Sequence, residues 1–112
     1  QAIALVAPAS PVMAVVNFDG TGSVGAQTLR YARNVASVVK VSTGKYELTF
    51  TEDMPHANYV VACNASDIDT TSSISRGMIA CQKTESGCFL SARIQSSGDQ
   101  VDVVIGDVSV FL

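Results

Sequence analysis

The sequence predicts an all-β fold, an antiparallel β-sandwich, and three observations carry that expectation. Turn signals built from Gly, Ser, Asp and Pro recur roughly every 8 to 14 residues, with short Val-, Ile-, Thr- and aromatic-rich runs between them. One run, Tyr46, Leu48 and Phe50 against Glu47, Thr49 and Thr51, alternates with a period of two. No heptad, internal repeat or low-complexity tract offers a competing architecture.

The chain has 112 residues, enough for one domain with a real core. Residues 1–11 read as an extended linker. Gln1-Ala2-Ile3-Ala4-Leu5-Val6-Ala7 is apolar, but it lacks the basic flank of a secretory leader and is too short to span a bilayer. Pro8 and Pro11 favour extended backbone leading into the first strand, as if the sequence entered mid-linker from a longer polypeptide. Residues 12–112 then form the sandwich.

Strands are expected at Val12–Phe18, Leu29–Val41, Lys45–Thr51, Tyr59–Ser66, Ser75–Gln82, Cys88–Ile94, Val101–Ile105 and Val108–Leu112. The clearest element is the hairpin at Ser42-Thr43-Gly44-Lys45, where Gly44 supplies the positive φ of a tight turn. Before it, Val35, Val39 and Val41 are expected on one face with Leu29 and Tyr31. In Cys88–Ile94, either Phe89 or Leu90 takes the buried face. Leu29, Ala32, Ala36 and Val39 also share a helical face, so Ala26–Val39 is open to a helix, with strand preferred because a hairpin partner follows.

Composition narrows function. Hydrophobic residues make up 47% of the chain and charged residues 15%, where about a quarter is usual. Either both faces of a sheet are covered or some apolar surface is held against another subunit, the second being favoured because the excess is Val and Ala. The net charge is −3 and no run of Lys or Arg exists to neutralise phosphates, which argues against nucleic acid. Cys63, Cys81 and Cys88 are an odd number. They read as reduced, mostly buried small hydrophobes, with a Cys81–Cys88 bridge as the competing reading.

Chemistry-bearing motifs are few. Gly20-Thr21-Gly22-Ser23-Val24-Gly25 matches the dinucleotide fingerprint, and Glu47 lies roughly where a ribose-binding acid belongs. Asp19 at the phosphate mouth, and turn-separated β structure downstream, favour a glycine-rich loop between strands. His56 stands in a loop beside Pro55 with no nucleophile context, so no catalytic residue is assigned. Cys63, Cys81, Cys88 and His56 lack the close pairs of a zinc site, and Asn64, Asp67 and Asp69 lack the spacing of a calcium loop. No metal or cofactor is expected. Asp67 with Asp69, or Asp99 with Asp102, are the acidic pairs a glycoside hydrolase could use, and both read as turn chemistry.

Surface recognition is left. The segment from Asn64 to Ser75 is dense in short hydrogen-bonding side chains, as are Thr84-Glu85-Ser86 and 96–100. Loops of this kind on a rigid scaffold are where binding concentrates. Asp67, Asp69, Thr70, Thr71, Arg76, Glu85 and Ser86 are the candidate receptor-binding residues.

Four segments in order resemble one family. They are Val16-Asn17-Phe18-Asp19-Gly20-Thr21-Gly22, then Tyr31 with Asn34-Val35-Ala36-Ser37-Val38, then Thr43-Gly44-Lys45-Tyr46-Glu47-Leu48-Thr49-Phe50, then Met54-Pro55-His56-Ala57-Asn58-Tyr59-Val60-Val61. The pattern is similar to a C-terminal module of bacteriophage tail fibres and related tail proteins, and covers about half the chain, with Ala14 and Arg33 as departures. The resemblance implies a β-rich, non-catalytic tip domain at the distal end of a homotrimeric virion fibre, assembled in the host cytoplasm. Its partner would be a glycan, lipopolysaccharide or outer-membrane protein of the bacterial surface, without membrane insertion. Two alternatives stay open: a structural virion protein of head or baseplate, and the carbohydrate-binding end of a polysaccharide-cleaving tail protein. From Ile68 onward nothing matches, which would suit a variable host-facing half.

Overall fold

The computed structural model describes residues 12–66, 76–94 and 97–112. Among them the strands run β1 (Val12–Asp19), β2 (Gly25–Ala26), β3 (Thr28–Arg33), β4 (Val35–Ser42), β5 (Lys45–Phe50), β6 (Val60–Ser66), β7 (Arg76–Thr84), β8 (Gly87–Ile94) and β9 (Ile105–Phe111). Two antiparallel sheets, ordered β3-β1-β9-β6 and β2-β4-β5-β8-β7, pack face to face as a sandwich. No helix among the described residues is long and apolar enough to cross a membrane.

The core lies between the sheets. Tyr46, Leu48 and Phe50 of β5 are buried, as their alternation requires, and they meet Ala14, Val16 and Phe18 of β1 and Val108 and Val110 of β9. Two edge-to-face aromatic pairs anchor its ends: Phe18 with Tyr46 at 5.2 Å and Phe50 with Tyr59 at 5.5 Å between ring centroids. Such pairs add about 0.5–1.5 kcal/mol each beyond the area they bury.

The expected strand Leu29–Val41 is two strands in different sheets. Asn34 sits between them at φ 55°, a left-handed conformation that Asn tolerates better than most residues and that turns the chain from one sheet to the other. Its side chain pins the corner, accepting from Glu52 N–H at 2.7 Å and donating to Glu52 O at 3.2 Å and Met13 O at 3.3 Å. The expected inward face of β4 is also corrected. Register shifts at Val35/Ser37 and Lys40/Ser42 rotate the strand, so Val35, Val38 and Lys40 are buried. Val39 is half-buried, and Val41 and Tyr31 stand exposed.

The expected strand Val101–Ile105 is not a strand. Residues 101–104 instead cap one end of the sandwich, with Val103 fully buried, and β9 begins only at Ile105. Their backbone is used by non-ladder partners: Val101 N–H donates to Ala92 O, Val103 N–H to the Tyr46 hydroxyl, and Val103 O accepts from Gly20 N–H.

The glycine-rich segment is a loop between β1 and β2, and its backbone is occupied. Gln27, buried, threads its amide into the loop: Nε2 donates to Ser23 O at 2.8 Å and Gly25 O at 2.9 Å, while Oε1 accepts from Gly22 N–H at 3.0 Å. A side chain of the protein therefore fills the cradle that a pyrophosphate would need.

Candidate functional site

Strand register decides which side chains the five-stranded sheet turns outward. Buried Met78, Ala92, Leu90, Tyr46 and Leu48 fix its inner face. The alternate residues then stand in cross-strand rows on the outer face: Gly77 beside Arg93, Ile79 beside Ser91 beside Lys45, and Cys81 beside Phe89 beside Glu47. Phe89, not Leu90, takes the outward position.

These rows line a furrow. Its central depression, ≈ 330 Å³, is bounded by Lys45, Ile79, Gln82, Phe89, Ser91 and Arg93. It shares Ile79, Ser91 and Arg93 with a depression that runs on to Gly98. It shares Gln82 and Phe89 with another that reaches Glu47, Thr84 and Ser86. The central volume falls at the small end of ligand sites, about 300–1,000 Å³.

A bulge aims one residue into this furrow. The β7–β8 register slips between Cys81 and Thr84, and Gln82 there takes φ 50°, an uncommon conformation for a residue with a Cβ. Its side-chain amide makes no hydrogen bond with the described residues. Lys45 and Arg93 form no ion pair among the described residues. Arg93 is steadied by donating from Nη1 to Gly98 O at 2.8 Å. No acidic side chain lines the central depression or its Gly98 end among the described residues, and Glu47 marks the opposite end.

Beneath the Lys45 turn lies a polar network. Lys40, buried, donates to Gly22 O at 2.9 Å and pairs with Asp102 at 2.5 Å. Asp102 Oδ1 accepts from Gly44 N–H at 2.9 Å and from the Tyr46 hydroxyl at 3.3 Å. Burial pushes the Asp102 carboxyl upward, but hydrogen bonds from Lys40 and Gly44, the Lys40 charge and the Tyr46 hydroxyl together outweigh it and hold the group below its ordinary value. Burial raises the Tyr46 hydroxyl far above the ordinary phenol range. Asp102 is thus committed to the scaffold and is not free to serve as half of an acidic pair with Asp99. Next to Lys45, Gly44 has φ 71°, and a Cβ there would lie 2.7 Å from Ala92 O and 2.8 Å from Val101 N and O. Only glycine fits both the turn and the capping segment.

Of the residues expected to bind a receptor, Asp67, Asp69, Thr70 and Thr71 lie outside the described residues. Arg76 opens β7, half-buried, whereas Glu85 and Ser86 form the exposed turn that closes it. Arg76 begins the nine-residue strand that ends at the turn, nine steps from Glu85 or about 30 Å at 3.3 Å per residue, so the three do not make one patch. Ser86 lines the furrow at its Glu47 end. The turn itself is held rigidly, since Phe50 N–H donates to Ser86 O and Met54 N–H to Glu85 O, both at 2.8 Å. Lys45, Gln82, Phe89 and Arg93 were not expected at a site. The signal that could have found them is the alternation of β8 read against that of β5, once the two are known to pair.

The three thiols are free. Cys81 pairs with Phe89 in register and faces outward, while the neighbouring Cys88 faces the core, so a Cys81–Cys88 bridge does not form. Cys63 is half-buried, and burial pushes both it and Cys88 up to about 11. Cys88 is buried and Cys63 partly so, while Cys81 alone of the three is exposed. A scan against protein-family models, a search of curated proteins and a search of solved structures each returned no match.

Proposed function

We propose that this chain is the receptor-facing tip domain of a bacteriophage tail fibre, a non-catalytic protomer of a homotrimer that binds the bacterial surface. The observation that carries the binding part is the outer furrow of the five-stranded sheet. There an outward aromatic, a bulge-directed Gln82 and two cations with no ion pair among the described residues stand on a scaffold whose inner face is packed. The virion part rests on the ordered tail-fibre pattern, whose residues have structural work to do here. Gly44 makes the turn, Asn34 makes the sheet-switching corner, and Tyr46, Phe50, Met54 and Tyr59 fill the core. Sister copies would cover the outer face of the four-stranded sheet, where Tyr31 and Val60 are 58% and 60% exposed. Three weak sites on one rigid assembly then give strong attachment by avidity.

The test is binding of the fluorescently labelled chain to a panel of bacterial strains, read by flow cytometry beside its solution mass. Saturable binding to some strains, displaced by unlabelled protein and given by a trimer, is the expected result. A folded protein that binds no strain, or that binds only phage particles, refutes the reading in favour of a structural virion part. Reducing-sugar release from a bound polysaccharide would refute the non-catalytic half.

A further inference from the structure

We propose that the furrow between β5, β8 and β7 is a saccharide subsite that takes an acidic sugar, one carrying a carboxylate or phosphate on a chain of hexose rings. This rests on the receptor-binding reading and names the chemistry of the receptor. Charge is the first ground. In a chain of net charge −3, the central depression carries Lys45 and Arg93 and no acidic side chain among the described residues. Lys45 stands directly opposite Ser91, and Arg93 is two residues further along β8 on the same face. Diagonal neighbours of that kind lie about 7–8 Å apart. Two long cationic side chains at that spacing converge on one anionic group, with the Ser91 hydroxyl between them.

Shape and hydrogen bonding are the second ground. A sugar ring offers one apolar face and a rim of hydroxyls, so it needs a flat apolar platform beside donors and acceptors. Phe89 is that platform, one row along from the Lys45–Ser91 row. Gln82, held outward at φ 50° with its amide making no hydrogen bond among the described residues, faces the same depression. Strain of this kind persists where the surrounding structure over-determines it, and it gathers at ligand sites. The furrow continues in both directions, toward Gly98 and toward Thr84 and Ser86. A chain of sugars can therefore run along it with the acid group at the Lys45–Arg93 half and neutral hydroxyls near Glu47, which would repel a second anion.

The experiment immobilises bacterial polysaccharides of three kinds, uronate-bearing, phosphate-bearing and neutral, and measures binding of the full chain by interferometry. Each acidic polymer is also presented after its acid is removed, by carboxyl reduction or by dephosphorylation, so that the two sources of anion are told apart. The expected result is retention on at least one acidic polymer, a loss of tenfold or more when its acid is removed, and a similar loss for Lys45→Gln. Phe89→Leu keeps apolar volume but removes the ring, and is expected to weaken binding several-fold. Lys45→Gln alters an exposed side chain outside the core, and its thermal midpoint should match the parent's. Equal binding to neutral polymers, or acid-dependent binding unmoved by Lys45→Gln, Arg93→Gln and Phe89→Leu, overturns the assignment. So does attachment to cells through an envelope protein, which leaves the receptor-binding reading standing. Failure to bind cells and polysaccharides alike removes both.

Discussion

Removing the Asp102 carboxylate is the sharpest probe of how the capping segment is held. In Asp102→Ala, the Lys40 ammonium, whose side chain is 8% exposed, keeps only Gly22 O at 2.9 Å among the described residues, and the Gly44 N–H loses its acceptor. Breaking a buried pair from one side costs about 3–5 kcal/mol. Asp102 is 26% exposed, so water reaches the vacated space and the lower end, about 3 kcal/mol, is expected. Lys40→Met leaves the carboxylate with Gly44 and Tyr46 and with solvent access, and about 1–2 kcal/mol is expected. The double variant has no stranded charge, so its loss should fall about 2 kcal/mol short of the sum of the singles. Urea unfolding at fixed protein concentration measures this: with a slope of about 1–3 kcal/mol per M, Asp102→Ala moves the midpoint by one molar or more. The pH dependence follows from the same geometry. The folded carboxyl sits below its ordinary value of 3.8, so the folded state holds fewer protons than the unfolded. The stabilisation is therefore present above about pH 4 and lost as pH falls through the folded value. Wild type should lose more stability than the double variant between about pH 5 and pH 2.5. Losses that add to within about 0.5 kcal/mol, or equal acid sensitivity, would refute the coupled network.

Other consequences are simpler. Gly87→Ala places a Cβ 2.0 Å from Leu48 O in the paired strand, so β5 and β8 must separate, at a cost of about 3 kcal/mol or more; a urea-midpoint loss under about 1 kcal/mol would contradict the register. Tyr59→Phe removes a buried hydroxyl whose one hydrogen is shared between Gly87 O at 2.7 Å and Thr84 O at 2.8 Å, and is expected to cost about 1–2 kcal/mol in the same assay. Burial has pushed that hydroxyl up to about 12, so it stays protonated and donating through neutral pH. A thiol-reactive probe near pH 8 should label Cys81 rapidly and Cys63 and Cys88 only on unfolding; two or more fast thiols in the native protein would contradict the outward turn of Cys81 alone.

The parts of the fold that were legible in the sequence are those in which one local rule acts alone. Alternation in Tyr46, Leu48 and Phe50, with a glycine turn before it, gave β5, its buried face and its hairpin. The illegible parts are those in which a distant partner overrides the local pattern. Residues 29–41 read as one strand because a hairpin partner follows them, although part of the run also suits a helix. The break comes from a single backbone conformation at Asn34, which contacts with Met13, Thr51 and Glu52 hold in place. Val101–Ile105 has the composition of a strand, yet its peptide groups are taken by Ala92, Tyr46 and Gly20. Lys40 is the extreme case: on composition a solvent-facing lysine, in the fold a buried cation, because Asp102 lies 62 residues away in sequence.

The candidate site was hidden for the same reason. Serine- and threonine-rich loops attracted the sequence reading because their composition is unusual, whereas Lys45, Gln82, Phe89 and Arg93 are unremarkable one by one. Pairing of β5, β8 and β7 makes them neighbours, and no spacing along the chain expresses that. The same pairing explains why the site can be precise. Lys45 follows Gly44 directly, and Gly44 is fixed from two sides, by its N–H on Asp102 and by its carbonyl on Ala92 N–H at 2.7 Å. Ala92 in turn lies between Ser91 and Arg93. The capping network therefore holds the backbone of three furrow residues at once, so loosening Asp102 should weaken ligand binding by a route that never touches the ligand. A binding loss in Asp102→Ala larger than its fraction unfolded would expose that coupling, and binding that tracks only the folded fraction would show that the furrow keeps its geometry without it.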